Sequence, residues 1–161
     1  MIRSHDIIPP ALPFIRRVTL ADIPAIVAIE NEAFADPWDH AIFTEALSYY
    51  PTTYFVAVRD GNIAGFVVGA IEDTGENIYG HICNFAVHPQ YRKQKIGSSL
   101  LHRLEQQFMI ERATGSQLEV RESNLAAQRF YRCKGYQNVF QVGGYYANGE
   151  DALVMMKWFR F

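Results

Sequence analysis

The sequence predicts a mixed α/β fold, a central mixed and mostly antiparallel sheet of six to seven strands flanked by about four helices on both faces. Two observations carry this prediction. Strand-like runs follow one another as hairpins in the middle of the chain, whereas a purely parallel doubly wound fold alternates strands and helices more regularly. Amphipathic stretches separate the later strands, and the element order reads β-α-α-β-β-β-α-β-α-β-β.

The first third of the chain begins with a turn-rich segment. Residues 1–13 are predicted to be a flexible, proline-rich leader because Pro9, Pro10 and Pro13 fit neither a helix nor a central strand. Residues 14–161 are then expected to form a single domain, which starts with a short strand at 14–18. Thr19 and Asp22 have the spacing of a capping box before the first helix, and a second helix is expected over 42–51.

The rest of the chain alternates strands and helices. Asp60-Gly61 is the strongest short-range hairpin signal and lies between two strand-like runs. The glycines of Gly65-Phe-Val-Val-Gly69 indicate close backbone approach within a strand, since a dinucleotide fingerprint would open a helix. The later elements are strands at 78–87 and 117–120, helices from Gly97 to about Ala113 and from Ser123 or Asn124 to Gly135, and closing strands at 136–142 and 152–161.

Composition excludes several classes of protein. The chain has 161 residues, 49% of them hydrophobic, and 15 Lys and Arg against 17 Asp and Glu, which disfavours disorder and a globally basic nucleic-acid binder. No run approaches the roughly 20 apolar residues of a membrane span. Cys83 and Cys133 are too few for a disulfide framework and favour a reducing compartment. We expect a cytoplasmic protein without nucleic-acid or membrane partners, as a monomer or weak homodimer.

Residues 85–100 form the most informative segment. A strand, a proline turn, a basic loop and a glycine at a helix start follow one another. The first amides of a helix lack intrahelical acceptors and lie at the positive end of its dipole, and Arg92, Lys93 and Lys95 add three positive charges. These features predict a site for a diphosphate. A solvated basic loop before an ordinary helix is the alternative from these residues alone.

Four stretches follow a recognisable order and spacing. They are ENEAF at 30–34 with Pro37-Trp38, NFAVHP at 84–89, LEVRESN at 118–124 with RFY at 129–131 and Gly135-Tyr136, and Tyr145-Tyr146 with EDA at 150–152. These stretches resemble the GCN5-related N-acetyltransferase (GNAT) superfamily and within it the bacterial and archaeal N-terminal acetyltransferases of the RimI type. The loop 92–97 resembles the family's Arg-x-x-Gly-x-Gly loop. The resemblance covers roughly residues 14–158 and implies a GNAT-like fold and an acetyl-CoA-dependent N-acetyltransferase.

The resemblance also implies how acetyl-CoA is bound. Backbone groups of Phe85, Ala86 and Val87 would pair with the pantetheine arm, and Asn124 would contact the cofactor as well as cap a helix. Lys95 stands where the family has its first glycine, which permits positive φ and close backbone approach. Its amide still donates, and its side chain is long enough to reach a phosphate. The loop around the pyrophosphate would comprise Arg92, Lys93, Gln94, Lys95, Ile96 and Gly97.

Two residues carry the expected chemistry. If Leu118 and Val120 face one side of their strand, Glu119 faces the other, and the resemblance makes it the general base, acting directly or through water. A solvated glutamate is the alternative. The resemblance makes Tyr131 the general acid that protonates the departing CoA sulfur, because a phenol of pKa about 10 stays protonated at pH 7. A core aromatic beside Phe130 is the alternative for Tyr131.

The acceptor is expected to be a protein N-terminus, as in ribosomal-protein or general N-terminal acetylation. An α-amine has a pKa near 7.7–8.0 and lysine near 10.4, so lysine costs roughly 3–4 kcal/mol more to deprotonate. In related N-terminal acetyltransferases two regions flank the substrate, and the matching residues here are expected to line a peptide groove; core packing and a hairpin tip are the alternative. Glu32 either attracts the peptide ammonium or is simply solvated on its helix. The candidate peptide-binding residues are Glu32, Phe34, Pro37 and Trp38 from the first helical hairpin and Tyr145 and Tyr146 near the C-terminus.

Three alternatives remain open. Lysine or a small amine is the alternative acceptor, and a non-catalytic CoA-binding module is the alternative from another class, although retention of both Glu119 and Tyr131 weighs against it.

No metal is expected, because His81, His88 and His102 lack ligand-like spacing with the cysteines.

Overall fold

The computed structural model describes residues 11–160, and its elements follow the predicted order. The predicted leader therefore lies mostly outside the described residues, as does the last residue of the closing strand. The strands are β1 (Phe14–Arg17), β2 (Tyr54–Arg59), β3 (Asn62–Asp73), β4 (Ile78–Val87), β5 (Gly115–Arg121), β6 (Gln137–Val142) and β7 (Ala152–Trp158). The helices are α1 (Ile23–Ala33), α2 (His40–Tyr49), α3 (Ile96–Ile110) and α4 (Leu125–Cys133), with short 3-10 turns at Leu20–Asp22 and Pro89–Tyr91.

The seven strands form one sheet in the order β1-β2-β3-β4-β5-β7-β6. Strands β4 and β5 are parallel, as their connection through helix α3 requires, and His81 lies opposite Gln117 in their register. The pairs β1–β2, β5–β7 and β6–β7 are antiparallel, with a register shift between Asn138 and Phe140 in β6. A mixed sheet of seven strands with four helices confirms the predicted fold class.

The described chain divides into two compact units, each built from two segments. The first comprises 11–66 and Ala86–Arg103. Its interior holds Ile23, Ile26 and the ring of Phe43, which meets the ring of Phe66 edge-on at 5.3 Å. The predicted capping box is present, with the backbone N–H of Thr19 donating to the Asp22 carboxylate over 2.8 Å.

The β2–β3 turn has the backbone that its sequence predicts. Asp60 and Gly61 both have positive φ, 53° and 76°, as the tight turns of two-residue hairpins require. Close approach also explains Gly65 in β3. A Cβ placed there would lie 2.9 Å from the Ala86 carbonyl oxygen and 3.0 Å from Ile96 Cγ2, so only glycine fits without displacement.

The second unit comprises Val67–Phe85 and 104–160. A buried polar network stabilises its interior: the Tyr136 hydroxyl bonds Glu105 Oε2 at 2.8 Å and Ser116 Oγ at 2.9 Å, and Lys157 Nζ lies 2.9 Å from Glu105 Oε1. Helix α4 begins as predicted, because Asn124 Oδ1 accepts from the Ala127 backbone N–H. The single domain over 14–161 stays a prediction.

Candidate active site

Glu119 lies in β5 with its side chain on the face opposite the core. Its neighbours Leu118 and Val120 are 2% and 6% exposed, whereas the Glu119 side chain is 17% exposed. The strand therefore has the alternation expected of it, and the carboxylate is accessible to a small molecule without being fully solvated.

His81 on β4 is the nearest partner of this carboxylate. Its Nε2 lies 2.7 Å from Glu119 Oε2, and its Nδ1 lies 3.7 Å from Glu72 Oε1 on β3. The sequence reasoning missed this pair because it treated His81 only as a possible metal ligand. The available signal was the strand–helix–strand unit β4–α3–β5, which makes the two strands parallel neighbours.

The imidazole of His81 is charged at neutral pH. The pKa of His81 is raised to about 10. The causes are a hydrogen bond with the Cys83 side chain and a second one with Glu119, which together outweigh the lowering effect of burial. The imidazolium Nε2–H therefore donates to Glu119. Cys83 itself is half-buried, and its thiol donates to the His81 carbonyl over 3.6 Å.

Tyr131 on α4 is buried, 7% exposed, in an aromatic cluster. Its ring lies 6.3 Å from that of Phe85 and 5.6 Å from that of Tyr136. Burial, followed by the proximity of Tyr146, raises the pKa of the Tyr131 phenol above its ordinary value. Within residues 11–160 its hydroxyl forms no hydrogen bond, so the proton remains available to a ligand. Phe130 is only half-buried, so of the adjacent pair it is the tyrosine that faces the interior.

Tyr145 and Tyr146 lie in the loop between β6 and β7, with their rings edge-on at 5.0 Å. The Arg121 guanidinium stacks 3.9 Å above the Tyr146 ring and forms an ion pair of 3.0 Å with Glu150. Glu150 also accepts from the Ser123 backbone N–H over 2.9 Å. Burial raises the pKa of Tyr146 to about 12, and burial followed by the nearby Glu119 carboxylate raises the pKa of Tyr145. These contacts hold the loop against the end of β5.

The predicted diphosphate loop, residues 92–97, belongs to the first unit. Arg92, Lys93 and Lys95 are all exposed, and helix α3 starts directly after them. Lys93 and Lys95 have φ of 60° and 63°, which costs a non-glycine residue roughly 1–2 kcal/mol. Lys95 thus adopts the conformation that glycine takes freely at the matching position of the family loop. Exposed cations beside free helix amides suit a diphosphate.

The remaining predicted residues divide between the units. In the first, Glu32 and Pro37 are exposed, and the half-buried Trp38 packs on Phe43 with ring centroids 5.4 Å apart. Ala86, Val87, Gln94, Ile96, Gly97 and Phe34 also belong to the first unit, and Phe85 and Asn124 to the second. The structure brings Glu119, Tyr131, Tyr145 and Tyr146 together in the second unit.

The order along the chain, a basic loop, a helix and then a strand that carries a glutamate, on a mixed sheet, is the one that the acyltransferase resemblance predicts. A model described as the acetyltransferase (GNAT) family matches residues 23–136, and the chain belongs to that family. The predicted class, an acetyl-CoA-dependent N-acetyltransferase, is confirmed. The chain is 38% identical over 144 residues to the uncharacterized N-acetyltransferase MJ1530 of Methanocaldococcus jannaschii (89% of this chain, 90% of that protein). It is 33% identical over 150 residues to an N-alpha-acetyltransferase of Sulfurisphaera tokodaii (88% of this chain, 90% of that protein).

Solved structures of acetyltransferases have the same fold as this chain. Ard1 from Thermoplasma volcanium matches with a TM-score of 0.88 at 23% identity, over 94% of this chain and all of that one, and shows the shared fold. The ribosomal-protein-S18-alanine N-acetyltransferase of Escherichia coli matches with a TM-score of 0.80 at 27% identity, over 93% and 96%, and confirms the resemblance to the RimI type. Naa20 of Chaetomium thermophilum, solved with a bisubstrate analogue, matches with a TM-score of 0.82 at 26% identity, over 90% of this chain and 86% of that one.

Two further findings concern ligands and membranes. Among the residues that the structure describes, no group of three or more His, Cys, Asp and Glu side chains could hold a metal ion. None of the helices between positions 11 and 160 is long and apolar enough to cross a membrane.

Proposed function

We propose that this protein transfers the acetyl group of acetyl-CoA to the α-amino group of a protein or peptide N-terminus. The observation that carries the proposal is the Glu119 carboxylate, held by His81 at 2.7 Å and close to Tyr145 and Tyr146. A fixed, partly buried carboxylate beside exposed aromatic surface is suited to receive an ammonium group and the peptide that carries it.

Glu119 acts as the general base. It takes a proton from the acceptor ammonium, directly or through a water molecule, and the neutral nitrogen then attacks the thioester carbonyl. His81 holds the carboxylate in place through a hydrogen bond of 2.7 Å. An α-amine with a pKa near 7.7–8.0 costs less free energy to deprotonate than a lysine with a pKa near 10.4. This difference favours N-termini over lysine side chains as acceptors.

Tyr131 stabilises the leaving group. The carbon–nitrogen bond forms as the carbon–sulfur bond breaks, and negative charge develops on sulfur. Because burial raises the pKa of Tyr131, complete proton transfer to a thiolate is less favourable than for an ordinary phenol. The hydroxyl instead keeps its proton and donates a hydrogen bond to the sulfur as the carbon–sulfur bond breaks, and the thiolate takes its final proton from water.

The loop 92–97 and the start of helix α3 hold the diphosphate of the donor, which supplies an activated acetyl thioester when bound. Exposed side chains of Arg92, Lys93 and Lys95 provide the charge. Gln94, Ile96 and Gly97 complete the loop. Phe85, Ala86 and Val87 at the end of β4 offer backbone groups to the pantetheine arm, the Val87 amide contacts the oxyanion, and Asn124 contributes a polar contact.

Two groups of residues are proposed to bind the acceptor peptide. Tyr145 and Tyr146 present one wall, and their loop is held by the Arg121–Glu150 ion pair. In the first unit, Phe34, Pro37 and Trp38 are the proposed peptide contacts, and Glu32 is proposed to attract the ammonium. A bacterial-type ribosomal acceptor is one candidate, because the Escherichia coli enzyme of known structure is a ribosomal-protein-S18-alanine N-acetyltransferase.

The proposal also covers the compartment, the partners and the oligomeric state of the enzyme. Both cysteines are free in the structure, which fits a reducing cytoplasm. The balanced charge fits a protein without nucleic-acid or membrane partners. We propose that the protein is a monomer or a weak homodimer. Light scattering across a concentration series measures its molar mass in solution and so tests the oligomeric state.

A peptide panel tests the proposal. The protein is incubated with acetyl-CoA and short peptides that carry a free or a blocked N-terminus, each with and without one internal lysine, and including the ribosomal S18 N-terminus. We expect acetylation of the free N-termini only, read by mass spectrometry. Acetylation confined to lysine or to small amines such as polyamines would replace the proposed acceptor. Binding of acetyl-CoA without turnover of any amine would indicate a non-catalytic module.

A further inference from the structure

We propose that Arg59, at the end of β2, is a positioning residue that holds the diphosphate loop in its binding conformation before the donor arrives. Arg59 lies outside every motif that carries the family resemblance. The inference rests on the proposed function in one respect only, that residues 92–97 bind the donor diphosphate.

The loop needs such support because its backbone is strained. Lys93 and Lys95 both have left-handed φ, 60° and 63°, and Gln94 between them does not. Alternation of this kind turns successive N–H groups toward one side, where they form a concave anion site. Side-chain-bearing residues keep such a conformation only where neighbouring groups over-determine it.

Gln94 is the residue through which the loop is held. Arg59 Nη2 donates to the Gln94 carbonyl oxygen over 3.4 Å, and Gln94 Nε2 donates to the Gln90 carbonyl over 3.3 Å. The first bond acts on the peptide segment between the two strained lysines, and the second fixes the Gln94 side chain. The same guanidinium nitrogen also donates to the Ala11 carbonyl over 2.6 Å. Arg59 is therefore anchored on one side while it contacts the loop on the other.

The β2–β3 turn supplies a second, uncharged support. Asn62, on the other side of Asp60-Gly61, donates from Nδ2 to the Tyr91 hydroxyl over 3.2 Å. Arg59 and Asn62 flank the tight turn, so one hairpin contacts the loop at Gln94 and the 3-10 turn just before the loop at Tyr91. Positive φ at both turn residues matches the twist of the flanking strands, and the hairpin serves as a platform for the loop.

The charge of Arg59 adds to the effect. Its Nε is buried without a hydrogen-bond partner, and no carboxylate in the described part of the chain forms an ion pair with it. A guanidinium with no carboxylate partner among residues 11–160 favours an anion on the nearby loop. A planar guanidinium also carries five N–H donors in a fixed fork, whereas a lysine ammonium carries three on a flexible stem.

Hydrogen exchange of the ligand-free protein tests the support directly. In Arg59→Met we expect amide exchange in residues 92–97 to rise about tenfold, the equivalent of losing one charge-assisted hydrogen bond. Asn62→Ala, which changes no charge, should raise exchange around Tyr91 less strongly. Arg17→Met is the matched control, because Arg17 is an exposed arginine of the same unit and its loss changes the net charge equally.

Calorimetric titration with CoA and with S-acetylpantetheine supplies the second measurement. Arg59→Met should raise Kd for CoA about tenfold and leave that for S-acetylpantetheine, which has no diphosphate, unchanged. Exchange and CoA affinity equal to those of Arg17→Met would overturn the inference. Equal losses for both ligands would also overturn it. A wild-type protein that binds no CoA would contradict the proposed function instead, and the exchange data would still decide the role of Arg59. If Arg59→Met fails to fold, Asn62→Ala decides: unchanged exchange around Tyr91 refutes the platform.

Discussion

His81 Nε2 lies 2.7 Å from Glu119 Oε2 across two parallel neighbouring strands. The imidazolium orients the carboxylate and leaves its second oxygen available to an acceptor. Glu72, 3.7 Å from the opposite ring nitrogen, is 46% exposed and connects this pair with solvent. The position of the proposed base is thus set by the sheet and does not depend on a loop.

Glu119→Gln should lower kcat by about 10²–10³-fold, because the amide cannot accept the acceptor's proton. The affinity for acetyl-CoA should change little, since Glu119 belongs to the acceptor side of the reaction. Steady-state kinetics and calorimetric titration measure the two effects. Glu122→Gln is the control, because Glu122 is exposed and lies three residues later, just after the end of β5. Unaltered turnover between pH 6 and 9 would remove Glu119 from the mechanism.

His81 should make stability depend on pH in the alkaline range. Its pKa is raised from 6.5 to about 10, so its contribution is fully present below pH 6.5 and is lost as pH rises through 10. The difference in Tm between wild type and His81→Gln should therefore shrink between pH 7 and pH 10. Thermal unfolding in that range measures it, with the exposed His102→Gln as control. A difference that grows with pH would contradict the ion pair.

Tyr131→Phe should lower kcat about ten- to a hundredfold while the protein stays folded. The ring keeps its contacts with Phe85 and Tyr136, and among the residues described here the lost hydroxyl has no hydrogen-bond partner to leave unsatisfied. Turnover and Tm are compared with those of Tyr136→Phe, whose hydroxyl bonds Glu105 and Ser116. We expect the opposite pattern there, a loss of Tm with a smaller loss of turnover. Wild-type kcat in Tyr131→Phe would exclude the leaving-group role.

Arg121 and Glu150 should act on the acceptor through Tyr146. Arg121→Met removes both the ion pair and the cation stacked on the Tyr146 ring, and should raise KM for the peptide about tenfold with little change in kcat. Arg121→Lys should restore part of this affinity. Glu150→Gln combined with Arg121→Met should add less than its separate effect, because the two act as one unit. Fully additive effects on KM would show that the pair does not position the loop. Arg129→Met, exposed on α4, is the control.

Local patterns in the sequence were sufficient for most of the fold. The capping box at Thr19 and Asp22, the Asp60-Gly61 turn and the Asn124 cap each depend on residues within a few positions, and each is present. Helix and strand boundaries differ by a few residues because the ends of elements are set by hydrogen bonds that hydrophobic periodicity does not report.

The site was less predictable because it depends on long-range register. Alternation in β5 places Glu119 on the accessible face, but its pairing with His81 requires the stagger of two strands that are joined by a fifteen-residue helix. The support of the diphosphate loop by Arg59 has the same origin, since 35 residues separate Arg59 from Gln94. No motif within either segment indicates these contacts.

Gly65 limits how closely three elements can pack. The atoms that exclude a side chain there belong to Ala86, at the end of β4, and to Ile96 and Leu100, in the first turns of α3. These two elements flank the predicted diphosphate loop. A methyl group in the middle of β3 would displace these neighbours by a few tenths of an ångström. The missing side chain therefore sets the spacing between the two ends of the segment that carries the loop.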